Sequence, residues 1–176
     1  MQPAPELEQL MVRYQQGDAS AVAALVQRLS PQLHRFFLAQ FVSRRFADDL
    51  LQETWLRIHA ARHTYRPGEP VLPWLYALAR NVRVDHYRRT RRREDREQQV
   101  ETLPEPATPD PPEAARGPDM QAMLAELPES QREVLVMLKV SGMSVEEVAR
   151  ATASSVGSVK QKAHRAYEKL RRLYER

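Results

Sequence analysis

Lys160, Gln161, His164 and Arg165 fall on one side of a helix when the chain is wound at 3.6 residues per turn. They offer cations for a phosphate or a guanine edge and a carboxamide for an adenine edge, which is the chemistry of the DNA major groove. A second basic group runs from Arg88 to Arg96. Alone it reads equally well as a solvated face. Upstream of it, however, Trp74, Tyr76, Asn81 and Tyr87 interleave with Arg80 and Arg83, and planar groups beside guanidinium groups are what unstacked bases bind to. Trp74, Leu75, Leu78 and Val82 also fit a core, and the three aliphatic residues are assigned to it. A third group, Asp49, Gln52 and Glu53, lies close together on a helix surface as a polar patch.

None of these groups has the form of an enzyme site. No second carboxylate cluster or nucleophile stands near Asp49 and Glu53. The histidines (34, 59, 63, 86, 164) lack ligand spacing, because His59 and His63 are four apart without a HExxH frame. No Gly-rich phosphate loop is present. The expectation is a non-enzyme that needs no metal and no cofactor.

The elements that must position these groups are helices. Leu7, Leu10, Met11 and Tyr14 form a stripe that Gly17 ends. Asp18 is a candidate N-cap for a helix through Leu29, with Val22, Leu25, Val26 and Leu29 inward. Pro31 is expected to start another, carrying Leu33, Phe36, Phe37 and Phe41. After a turn at Ser43–Arg45, one helix holds the acidic patch over Leu50, Leu51, Trp55 and Ile58. The Pro- and Gly-bearing break Thr64–Pro73 is a loop, and a long helix with a basic end follows. Residues 101–118 hold six of the thirteen prolines and read as an extended tether. Beyond it, Met120, Met123, Leu124 and Leu127 form one stripe, and Val134, Leu135 and Leu138 a second. Ser144-Val-Glu-Glu147 has the capping-box form and opens a short helix, Val145–Ala151. A turn at Thr152–Ser154 leads to a last helix capped by Ser155. Its face of Val156, Val159, Ala163, Ala166, Tyr167 and Leu170 must be core. This is the layout of a helix-turn-helix.

The fold class expected is all-α: two small helical domains joined by a proline-rich linker, the second a helix-turn-helix. Their bounds are 1–96, 97–118 and 119–176. Net charges of +6, −4 and +2 over these segments place two basic modules around an acidic strip, which suits a polyanion partner. The absence of cysteine excludes disulfides and Cys-ligated metal. No apolar run reaches the roughly 20 residues of a membrane span, and MQPAPELEQL has no signal-peptide form. A cytoplasmic protein without membrane insertion of its own is expected.

Three motifs in order, Asp48-Asp-Leu-Leu-Gln-Glu-Thr-Trp55, Trp74-Leu-Tyr-Ala-Leu-Ala-Arg-Asn-Val-Arg-Val-Asp85-His-Tyr-Arg-Arg89, and Leu127-Pro-Glu-Ser-Gln-Arg-Glu-Val-Leu135 with Ser144-Val-Glu-Glu-Val-Ala149, resemble an extracytoplasmic-function sigma factor of bacterial RNA polymerase. The resemblance covers nearly the whole chain except the tether. It implies an alternative sigma factor that binds core RNA polymerase and directs initiation at promoter DNA through −35 and −10 elements.

By that resemblance Asp49, Gln52 and Glu53 dock on the polymerase. The loop Thr64–Pro73 captures a base flipped from the −10 element, although its run Arg66-Pro-Gly-Glu-Pro70 departs from the family. Arg80, Asn81, Arg83, Asp85, Arg88 and Arg89 meet that element as it melts. Lys160, Gln161, His164 and Arg165 read the −35 element, with Ser158 on a phosphate. The tether threads toward the polymerase cleft, and an anti-sigma factor is implied as a further partner. The other reading open to these residues is a free-standing helix-turn-helix transcription regulator.

Overall fold

The computed structural model describes residues 4–40, 44–97 and 120–175. The described residues form eight α-helices and no strand. The first helical group comprises α1 (Ala4–Gln15), α2 (Ala19–Leu38), α3 (Arg44–Ala61), a 3₁₀ turn at Arg62–Thr64, and α4 (Val71–Glu97). The second comprises α5 (Met120–Ala125), α6 (Glu129–Lys139), α7 (Val145–Ala151) and α8 (Val156–Tyr174). The tether lies, from residue 98, outside the described residues, as does Phe41.

Local rules set most of the ends. Gly17 and Gly142 take φ of 88° and 67°, the left-handed region that favours glycine after a helix. Asp18 caps α2 by accepting from the backbone N–H groups of Ser20 and Ala21. Ser144 and Glu147 form the expected capping box, and Ser155 caps α8 through the Ser158 N–H.

Pro31 does not start a helix. It lies inside α2, which runs unbroken from Ala19 to Leu38. A proline in a helix interior costs about 3 kcal/mol. Here Leu29, Leu33, Phe36 and Phe37 are each at most 1 % exposed, and burying each such side chain contributes roughly 1.5–3 kcal/mol. The continuous apolar face therefore outweighs the lost N–H. The loop is shorter than expected: α4 begins at Val71, so Pro73 sits in its first turn, where no intrahelical donor is missing. Three residues assigned inward, Val26, Met120 and Tyr167, are instead exposed.

The core of the first group is built from Met11, Tyr14, Leu25, Leu33, Phe36, Leu50, Ile58, Leu75, Tyr76 and Val82. It does not stop there. Val134, Val136, Met137, Met143 and Val148 join the same apolar cluster, and α7 packs along α4. A smaller cluster of Leu124, Leu127, Leu135 and Ala166 lies within the second group. Helix α6 is thus buried on two sides, with Glu133 through Met137 all inaccessible.

Candidate nucleic-acid and docking surfaces

On α3, Leu50, Leu51, Thr54, Trp55 and Ile58 face the core side, and Asp49, Gln52 and Glu53 point away from it. Together with Leu56, Arg57, Ala60 and Arg89 they line a shallow open depression. Leu56 is the feature that sequence reasoning missed. It lies one turn beyond both Gln52 and Glu53, in the middle of the polar patch, and is 66 % exposed. Its signal was readable, since it is a leucine on the opposite side of α3 from the apolar stripe.

The floor of this depression is ionic. Glu53 accepts from Arg57 at 3.0 Å and from Arg89 at 3.0 and 3.1 Å, and Arg57 also meets Asp85 at 2.9 Å. Burial works against the charged form of Arg57. The Asp85 and Glu53 carboxylates more than offset it, so the net effect is a raised pKa. This network ties α3 to α4 on the same surface that carries the docking candidates.

The six residues assigned to the −10 element therefore do not form one patch. Asp85 and Arg89 turn toward α3. Arg80 and Arg83 turn toward α6, where Arg80 Nε meets both oxygens of Glu133 at 3.0 and 3.1 Å. Arg83 meets Glu133 at 3.1 Å and Glu129 at 2.5 Å. Asn81 and Arg88 are exposed. Arg88 lines an open groove with Arg83, Val84, Tyr87, Arg91, Arg92 and Glu129. Tyr87 is 62 % exposed there, and its ring is available for stacking. Tyr76 is not: it is fully buried edge-on against Phe36, at 5.3 Å between centroids, which removes it from any base-binding set. Trp74 is half-buried, its indole N–H donating to Thr64 Oγ1 at 3.1 Å and its ring set edge-on against Tyr65.

The loop Tyr65–Pro70 is held from several directions. Tyr65 is buried, and its hydroxyl donates to the Glu69 carbonyl at 2.5 Å. The Gln15 carboxamide on α1 donates to the carbonyls of Arg62 and Tyr65 at 2.7 and 2.8 Å. Glu8 accepts from the Val71 N–H at 3.0 Å and so caps α4 from 63 residues away. Arg66, Pro67, Gly68 and Glu69 remain exposed at the tip. At φ 89°, Gly68 takes a conformation that a Cβ would strain.

In the second group, α7, the Thr152–Ser154 turn and α8 form the helix-turn-helix. Thr152 Oγ1 lies within hydrogen-bond distance of Ser154 Oγ at 2.7 Å, which stiffens the turn. Val159, Ala163 and Ala166 are buried on α8. Lys160, Gln161, His164 and Arg165 are all exposed on its opposite side, and Ser158 is half-buried at its start. The four side chains are thus on one rigid element, with the helix-turn-helix behind them.

Comparison with known proteins resolves what these surfaces belong to. Residues 25–93 match the Sigma-70 region 2 family and residues 119–170 match Sigma-70, region 4. The chain is 33 % identical to the RNA polymerase sigma factor CarQ of Myxococcus xanthus, over 93 % of its own length and 94 % of CarQ's. It is 34 % identical to the ECF RNA polymerase sigma factor EcfG of Rhodopseudomonas palustris, over 81 % of this chain and 79 % of that one. The chain belongs to the extracytoplasmic-function sigma factors.

The fold agrees. The structure of CnrH in complex with the cytosolic domain of CnrY superposes with a TM-score of 0.75 at 24 % identity, covering 97 % of both chains. The sigma factor RpoE of Bartonella quintana, solved with the anti-sigma factor NepR, gives 0.67 at 25 % identity over 85 % of this chain and 94 % of that one. As an alternative sigma factor the protein binds core RNA polymerase and directs promoter-specific transcription initiation. Among the described residues no helix is long and apolar enough to cross a membrane.

Proposed function

We propose that this sigma factor divides its work among three surfaces. Asp49, Gln52 and Glu53, with Leu56 at their centre, dock on core polymerase. The α4 side chains Arg80, Asn81, Arg83, Asp85, Arg88 and Arg89, together with the tip of the Tyr65–Pro70 loop, engage the −10 element. Ser158, Lys160, Gln161, His164 and Arg165 read the −35 element. The division follows the bounds 1–96, 97–118 and 119–176, with the acidic tether in the polymerase cleft.

One observation carries this reading. The exposed polar face at the start of α8 stands on a helix-turn-helix within the region 4 match, and the exposed arginines and Tyr87 of α4 stand within the region 2 match. Phosphate contacts from both supply affinity that falls with salt. The α8 face supplies direct readout in the major groove. Tyr87 and the arginines beside it hold bases out of the stack, offsetting an unstacking cost of about a few kcal/mol. Docking on polymerase raises the effective concentration of each weak contact. The protein acts in the cytoplasm, carries out no catalysis itself, and is held in check by an anti-sigma factor.

Run-off transcription with core polymerase on a library of upstream sequences tests this. Start sites that arise only when the protein is added, and that are lost on Arg165→Ala or Arg88→Ala, support it. DNA bound by the protein alone with no new starts favours the free-standing regulator.

A further inference from the structure

The geometry points to Glu8 and Gln15 of α1 as positioning residues for base selection: neither is among the side chains assigned to DNA, yet together they set the shape of the Tyr65–Pro70 loop and so which base its tip accepts. The inference rests on the reading that this tip engages the −10 element.

Glu8 and Gln15 are seven residues apart, so they share one face of α1 and stand about 10 Å apart at 1.5 Å of rise per residue. They grip the two ends of the loop. At the entry, the Gln15 carboxamide gives both its hydrogens, to the carbonyls of Arg62 and Tyr65 at 2.7 and 2.8 Å. At the exit, Glu8 Oε1 accepts from the Val71 N–H at 3.0 Å. A carboxylate in that place is also favoured by the dipole of α4. Between the two grips Met11 is buried and fastens α1 to the core. Helix α1 is therefore a ruler laid across the base of the loop.

Neighbouring contacts leave little slack. The Tyr14 hydroxyl, beside Gln15, lies 2.8 Å from His59 Nδ1 and ties α1 to the end of α3. Thr64 Oγ1 donates to the Ala61 carbonyl at 2.7 Å and accepts from the Trp74 indole at 3.1 Å. The Tyr65 hydroxyl closes on the Glu69 carbonyl. Burial, with the Glu8 and Glu69 charges, raises this phenol, so it stays a donor. The grips of Gln15, Glu8 and Tyr65 all fall on main-chain atoms. They set the path of the chain without consuming a tip side chain, and Arg66, Pro67, Gly68 and Glu69 stay exposed. The path of so short a tip depends on where its two ends are held. Backbone carbonyls that lose their donor are costly to leave unpaired in a part-buried place, so the loop resettles when a grip is removed.

Transcription by the holoenzyme on a promoter library randomised in both elements tests this. Gln15→Met keeps the side chain's length but removes its donors, Glu8→Ala removes the acceptor, and Glu8→Gln keeps one. The first two are expected to shift base preference within the −10 element by about fivefold, the scale of one hydrogen bond in an equilibrium. Preference in the −35 element should not move, and Glu8→Gln should retain the parental pattern. Tip variants Arg66→Ala and Glu69→Ala serve as the reference. If they shift the −10 preference and the α1 variants do not, the role of α1 is overturned and the loop reading stands. If neither set shifts it, the loop reading falls and the inference with it. Preferences in both elements eroding together would mark general destabilisation and overturn the positioning role. A second measurement needs no DNA. The chain has no cysteine, so spin labels at Arg66→Cys and Gln27→Cys, both exposed positions, report the distance from the tip to α2. Gln15→Met is expected to shift or broaden that distance, and an unchanged distribution overturns the proposal.

Discussion

Arg165 offers the clearest separation of recognition from stability. Its side chain is exposed on α8, and among the described residues it has no hydrogen bond or ion pair to lose. Replacing it with alanine therefore removes little from the folded state, and the unfolding free energy should move by less than about 0.5 kcal/mol. In the holoenzyme the same change removes one reading side chain. A bidentate arginine–guanine contact contributes about 1–3 kcal/mol of discrimination, so affinity for the cognate promoter should fall roughly 5- to 150-fold, with a much smaller fall on unrelated duplex. A contact to phosphate alone would weaken all sequences alike and reduce the salt slope by about 1. Anisotropy titrations of holoenzyme on labelled duplexes at two salt concentrations distinguish the two, alongside thermal melts of the free protein. Unchanged promoter affinity refutes the assignment of Arg165. A melt that falls in step with affinity refutes the claim that the residue is structurally idle.

Three further outcomes follow. Leu56→Asp should leave the melt within about 0.5 kcal/mol yet cost roughly 2 kcal/mol of affinity for core polymerase, the scale of a buried interface anchor, with Gln52→Ala and Asp49→Ala acting in the same direction; a pull-down with undiminished polymerase would remove all three from the docking surface. Ser144→Ala deletes the cap that accepts the Glu147 N–H at 3.1 Å and should cost about 1 kcal/mol in chemical denaturation, so a change of only a few tenths would show that α7 is held by packing alone. The hydrogen bond from Arg83 holds the Glu129 carboxyl below its ordinary value of 4.5, against the opposing effect of burial. Because the pKa is depressed in the folded chain relative to the unfolded one, its contribution to stability is present above the ordinary value and is lost as pH falls through the depressed one. The loss of folding stability on acidification, followed by chemical denaturation at a series of pH values, should therefore be less steep in Glu129→Gln, and identical pH profiles would contradict the pairing.

Much of this architecture was legible in the sequence because local chemistry determines it. Gly17, Asp18, Gly142, Ser144 with Glu147, and Ser155 each act within a few residues, and each does what its type predicts. Pro31 was misread because its local penalty is real but smaller than the tertiary gain from the helix face it interrupts. The roles of Glu129 and Glu133 were not legible, since their partners stand about 50 residues upstream. A trace was present even so. Val134-Leu-Val-Met-Leu138 is apolar all round a helix, and such a helix is buried on more than one side. Tyr76 shows the same limit from the other direction: an aromatic among arginines suggests stacking on bases, and only the packing of Phe36 against it reveals a core residue.

The attachments from α1 bear on where this protein can be cut. The region 2 match begins at residue 25, yet Glu8 and Gln15 hold the start of α4 and the base of the Tyr65–Pro70 loop, and Met11 and Tyr14 fill the core beneath. A fragment trimmed to the matched residues would keep every side chain assigned to DNA while losing the scaffold that sets the loop's shape. The loop's aim is thus governed from a helix that need never touch a promoter. Substitutions in α1 are accordingly a route by which such a protein could change its taste in −10 sequences without altering a single base-contacting residue.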